Sequence, residues 1–138
     1  MSNPLTGIRV LDLSKVLAGP LCAQYLGDLG ADIIKVETVG QGDETRGWPP
    51  FPAPGLGTVF LTANRNKRSI TLDLKRPEAR EIALQLAERC DIVVENFRPG
   101  TMEKWGLGYD VLSRTNPGLV MVRLSGFGQT GPYRDRPG

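Results

Sequence analysis

The 138-residue sequence contains no histidine. That excludes, from within the chain, imidazole acid–base catalysis, Ser–His and Cys–His nucleophile pairs and His-ligated metal sites. Cysteine is almost absent as well. Cys22 and Cys90 stand far apart, each in an apolar helix-like run, and read as buried free thiols of a reducing compartment; with so few ligands, no metal site is expected. No apolar stretch approaches the length of a bilayer span. The opening "MSNPLTGIRVLDLS" lacks the basic-then-apolar layout of a signal peptide, so the expected location is the cytoplasm, with no membrane partner. Charge of one sign is also lacking: 17 basic against 15 acidic residues leave a net +2. No nucleic-acid-scale field follows from that, and any anion site must be local.

What is present is a soluble globular composition, 40% hydrophobic and 23% charged, enough for one domain with a core. Short apolar strands alternate with helical segments. Ile8–Leu13, Ile33–Glu37, Ser69–Leu72, Ile92–Val94 and Val120–Leu124 read as strands. Helices are expected over Leu21–Leu29, closed by Gly30, and briefly over Thr58–Ala63, Thr101–Trp105 and Tyr109–Ser113. Pro77 opens a further helix at the first helical position, with Ala79, Ile82, Ala83, Leu86 and Cys90 on its apolar face. The Gly/Pro-rich stretch Gly40–Gly57 is expected to be irregular. Trp48, Phe51 and Trp105 read as core or loop anchors.

This alternation predicts an α/β fold, a Rossmann-like open and mostly parallel sheet with crossover helices. Ligands in such sheets bind beyond the carboxyl ends of the strands. The residues to inspect are therefore Ser14, Lys15 and Val16; Glu37 and Thr38; Asp73 and Lys75; Asn96, Phe97 and Arg98; and Ser125 and Gly126. Cations, an amide and a ring converging on one edge suit a phosphorylated ligand with a flat ring. The cationic stretch "NRNKRSITLDLK" (64–75) is a second anion-site candidate beside the same edge, against the plainer reading of a solvated face. Ala18-Gly19-Pro20 allows either close ligand approach to backbone N–H groups or tight packing of helix on strand.

Gly126-Phe-Gly128-Gln-Thr-Gly131 matches G-x-G-x-x-G, but the dinucleotide mechanism needs a helix directly after the glycines. "PYRDRPG" follows, and the first strand-to-helix turn has no such repeat. NAD is not expected. The last predicted strand also lacks a covering helix, so residues 1–138 read as the N-terminal part of a larger domain.

Six segments in register, "PLTGIRVLDLSKVLAGP", "LGADIIKVE", "GDETRGW", "NRNKRSITLDLK", "DIVVENFRPG" and "SGFGQTGPYRDRPG", resemble the N-terminal part of the family III CoA-transferases, whose superfamily includes α-methylacyl-CoA racemase. The resemblance implies an interlocked homodimer, with coenzyme A or an acyl-CoA as substrate and a carboxylic acid as acceptor. It implies CoA contacts at Val16, Leu17 and Ala18; at Leu72, Asp73, Leu74 and Lys75; at Asn96, Phe97 and Arg98; and at Lys104. Backbone N–H groups of Leu17 and Ala18 would steady an oxyanion. Position 38, an arginine in many members, is Thr38 here, which leaves Arg46, Arg65 or Arg68 as substitutes. The nucleophilic aspartate of the family lies beyond Gly138, so no catalytic residue is assigned in this chain, and the chain alone is expected to be inactive. The other readings are an acyl-CoA racemase and a non-catalytic nucleotide-binding or assembly module.

Overall fold

The computed structural model describes residues 3–137. Five parallel strands, β1 (Arg9–Asp12), β2 (Asp32–Glu37), β3 (Lys67–Thr71), β4 (Ile92–Glu95) and β5 (Val120–Arg123), form one sheet in the order β3-β2-β1-β4-β5. The order reverses between β1 and β4, which makes the gap at their carboxyl ends the topological switch point. The chain is α/β with a parallel sheet, as the alternating pattern predicted.

Alternation along each strand divides the core in two. Leu11, Leu13, Val36 and Val93 face one side, under α3 (Pro77–Ala87), α4 (Thr101–Lys104) and α5 (Tyr109–Thr115), with Met102, Leu107 and Leu112. Val10, Ile33 and Val94 face the other, under α1 (Ala18–Asp28) with Ala23. Each such side chain, fully buried, contributes about 1.5–3 kcal/mol. In α3, Ala79, Ala83 and Ala87 recur every fourth residue and form the buried stripe. Ile82, expected on that stripe, is exposed.

Several boundaries move. Helix α1 begins at Ala18, three residues earlier than its apolar run, because Ala18-Gly19-Pro20 forms its first turn. A side chain at Gly19 would collide with Ser14, so this glycine serves the packing of helix on loop. Strand β3 begins at Lys67 because pairing to Ile33 extends it past the β-favouring run. The Gly/Pro-rich stretch is not wholly irregular: it holds a 3-10 turn, Glu44–Gly47, capped by the Asp43 carboxylate on the Thr45 N–H. The short helix α2 (Thr58–Ala63) follows. Trp48 and Phe51 are exposed, whereas Trp105 packs edge-on against Phe97, 5.0 Å between centroids. After β5, residues 124–137 form bends and turns, and no helix follows the glycines among the described residues. None of the helices is long and apolar enough to cross a membrane.

Candidate ligand-binding cleft

The loops leaving β1 and β4 meet at the switch point and are tied by one side chain. The Asn96 carbonyl oxygen accepts from the Lys15 N–H (2.8 Å), and the Asn96 amide nitrogen donates to the Lys15 carbonyl (2.8 Å). The next residue, Val16, has φ +66. A β-branched residue in the left-handed region costs about 1–3 kcal/mol and persists only where its surroundings impose it. On one side of it Asn96 clamps Lys15, and the Asp43 carboxylate accepts from the Val16 N–H itself at 3.2 Å.

Asp43 belongs to a buried polar layer beneath the loop. Its carboxylate, 1% exposed, pairs with Lys35 at 3.1 Å and also accepts from the N–H and hydroxyl of Thr45. Lys35 donates in turn to the Ser14 carbonyl at 2.9 Å. Burial pushes the Asp43 carboxyl up, but the Thr45 donors and Lys35 outweigh it and the net shift is downward. Glu37, at the end of β2, accepts from the Asp43 N–H, from Ser69 and twice from Arg46 (2.7 and 2.8 Å). Burial opposes its ionisation, yet these donors prevail and hold the carboxyl down at about 2. On the β4 side, buried Glu95 accepts from the Phe97 N–H (2.7 Å) and from Arg123 (2.7 Å), which also pairs with Glu103. The loops after β1, β2 and β4 are thus each held by a buried carboxylate.

Two cavities open above this layer. One, of about 220 Å³, is lined by Lys15, Glu37, Thr38, Leu72, Asp73, Leu74, Lys75, Phe97 and Trp105, among others. The other, of about 600 Å³, is lined by Val16, Leu17, Ala18, Asn96, Phe97, Arg98, Ser125 and Arg136, among others. Phe97 borders both. The positions expected at the edge, Val16–Ala18, Leu72–Lys75 and Asn96–Arg98, therefore come together in adjoining cavities. Lys104, exposed on α4, lines neither.

The cationic stretch 64–68 is placed otherwise. Arg65 pairs with Asp28, at the end of α1, and Arg68 pairs with Asp32, at the start of β2. Both therefore sit toward the amino end of the sheet, not beside the carboxyl-edge cleft. The Lys67 ammonium is buried, with its three donors on Asp12 (2.9 Å), the Pro20 carbonyl (2.8 Å) and Asn64 (2.9 Å). Arg46 is bound to Glu37 and lies over the Phe60 ring at 3.7 Å. Each of these cations has a carboxylate of the chain itself. By contrast, among the described residues Lys15, Lys75 and Arg98 have no carboxylate partner.

Asp43 escaped the sequence reading, as did the left-handed conformation of Val16 and the hydrogen bonds of Asn96 to Lys15, although Val16 and Asn96 themselves were expected at this edge. The one local signal was Asp43 two residues before Thr45, the spacing of a capping aspartate. Cys90 is buried, its thiol pushed up to about 11, and Cys22 is half-buried; both are free. Among the described residues no cluster of three or more Cys, Asp or Glu could hold a metal ion.

Comparison with known proteins gives the family and the fold. The family model described as CoA-transferase family III matches residues 5–138. The chain belongs to that family. It is 53% identical over 135 residues to the succinyl-CoA–L-malate CoA-transferase beta subunit of Chloroflexus aurantiacus, covering 98% of the chain and 33% of that protein. It is 46% identical to the human succinyl-CoA:glutarate CoA-transferase, covering 99% of the chain and 31% of that protein. Among solved structures, a CaiB/BaiF family protein from Brucella suis superimposes with a TM-score of 0.93 at 44% identity, covering 100% of the chain and 37% of its counterpart. The family III chain described here spans about a third of the length of these relatives.

Proposed function

We propose that the full-length protein is a CoA-transferase that moves CoA between carboxylic acids, and that this chain supplies much of its CoA-binding half. The observation that carries the reading is the family match over residues 5–138, joined to the convergence of Val16–Ala18, Leu72–Lys75 and Asn96–Arg98 on adjoining cavities. Lys75 and Arg98 are free to meet phosphate oxygens, for which charge-assisted donors are suited. Lys104 would add a contact from outside the two cavities. The relatives named for succinyl-CoA with malate or glutarate favour succinyl-CoA as donor and a four- or five-carbon dicarboxylate as acceptor.

The reaction follows from nucleophilic catalysis by a carboxylate that lies outside this chain. That carboxylate oxygen attacks the thioester carbonyl, the C–S bond breaks and CoA thiolate departs, leaving a mixed anhydride. The thiolate then attacks the enzyme-side carbonyl, giving an enzyme–CoA thioester and releasing the first acid as its carboxylate. The acceptor carboxylate repeats both exchanges in reverse. No proton or electron is consumed. The Leu17 and Ala18 N–H groups, at the first turn of α1, would receive the oxyanion. The reading also includes an interlocked homodimer.

Full-length protein given succinyl-CoA and a dicarboxylate should show ping-pong kinetics, and borohydride or hydroxylamine should trap an acylated aspartate outside residues 1–138. Label on Asp12, Asp43 or Asp73 would refute that placement. Solvent deuterium entering the α-position of an acyl-CoA, with no CoA transfer to any acid, would make the protein a racemase. CoA binding with neither reaction would make it a non-catalytic module.

A further inference from the structure

Three consecutive residues of the loop after β1 are fixed by groups distant in sequence. Lys35 holds the Ser14 carbonyl, Asn96 holds both backbone groups of Lys15, and Asp43 holds the Val16 N–H. Asp43 and Lys35 are themselves a pair with 1% exposure on each side. Gly19 closes the loop against Ser14 from above, with no space for a side chain. The residues immediately downstream, Leu17 and Ala18, are exposed and line the 600 Å³ cavity. Among the described residues their N–H groups have no hydrogen-bond partner.

We infer that Asp43, with Lys35, is a positioning residue for acyl transfer: it holds Val16 in the left-handed conformation that aims the Leu17 and Ala18 N–H groups into the cavity. This rests on the CoA-transfer reading of the same cleft. Left to itself, a valine leaves the left-handed region, and the following peptide groups turn with it. A single hydrogen bond from the Val16 N–H to a neutral acceptor, worth about 0.5–1.5 kcal/mol net, is too little to hold it against that cost. A carboxylate fixed by a buried ammonium and two Thr45 donors is a stiffer support, because breaking it strands a buried charge. Asp43 lines neither cavity; it acts through Val16.

The test uses the full-length protein. D43N keeps the shape but sets an amide donor either against the Val16 N–H and the Lys35 ammonium, which share one carboxylate oxygen, or against the N–H and hydroxyl of Thr45, which share the other. With succinyl-CoA, kcat should fall roughly 30-fold, the scale of a misaligned oxyanion donor, while KM stays within about threefold. Hydrogen exchange in peptides spanning residues 14–21 should accelerate. Adding V16G to D43N should restore part of the lost kcat, because glycine takes a positive φ without support. V16G alone should lower kcat a few-fold and speed exchange in the same peptides, a readout that survives if D43N does not fold. Wild-type kcat in D43N, simple additivity of the two substitutions, or wild-type behaviour of V16G would each overturn the inference while transfer by the wild type stands. Absence of transfer in the wild type would instead bring down the functional reading, and this role with it.

Discussion

Arg65, Lys67 and Arg68 differ from Lys15, Lys75 and Arg98 in company, not in kind. The first three meet Asp28, Asp12 and Asp32. The second three lie where the sheet's loops open outward, with no carboxylate partner among the described residues. In the sequence the first group is the denser and more conspicuous. Density of charge there reflects carboxylates brought from 36 to 55 residues away, whereas the sparser cations at the strand ends are those still able to bind a foreign anion. The anion that "NRNKR" meets is the chain's own.

The comparison breaks most visibly at Lys67. Replacing it with alanine strands the Asp12 carboxylate at 0% exposure, which should cost about 3–5 kcal/mol of stability in urea unfolding. Lys75→Ala should leave the same curve unmoved. If both variants unfold alike, the distinction between paired and free cations fails.

A second way in is acid. Glu37 has its carboxyl lowered from 4.5 to about 2. Its folded value lies below its unfolded one, so its contribution is complete above the unfolded value and is lost as pH falls through the folded one. About 3 kcal/mol should disappear between pH 4.5 and 2. The midpoint of urea unfolding followed across that window should fall more steeply in the wild type than in Glu37→Gln; parallel curves would show that Arg46 and Ser69 do not hold the charge.

The smallest effect is also the most discriminating. Lys75→Ala and Arg98→Ala should each weaken CoA binding by about 1–3 kcal/mol in calorimetry on the full-length protein. Arg65→Ala and Arg68→Ala should leave CoA affinity where it was, their exposed ion pairs being screened by water. A loss of affinity at Arg65 or Arg68 would return that stretch to the binding site.

Much of the fold was legible because it is written locally. Strand order needs tertiary information, but the alternation of short apolar runs with a Pro77-initiated helix is enough for a parallel α/β sheet. The carboxyl edge was legible for the same reason: strand ends are local features, and Val16, Lys75 and Phe97 follow from them. What failed was pairing across distance. Asn96 reads as a polar loop residue until Lys15 is seen against it. Asp43 reads as a turn former in a glycine-rich loop until Lys35 and Val16 close on it. Ile82 has the spacing of a core residue, yet it is exposed while Ala79, Ala83 and Ala87 are buried and Leu84 and Leu86 pack partly against the core. Periodicity records a helix face to within one position, and the sheet decides which edge of that face is covered.

Phe97 stands on the border of both cavities, its N–H fixed by Glu95, its ring braced by Trp105, with the Lys15 ammonium 5.8 Å from the ring centroid. It is a partition, with a compartment on either side that borders its ring. A molecule filling both has to be long for its width and jointed where it passes the ring. Such a guest also departs in stages. While one end remains lodged, the other stays at high local concentration above its own compartment and re-enters before the whole escapes. On the proposed CoA-transfer reading, the partition would favour a ligand retained at one end while its other end is exchanged.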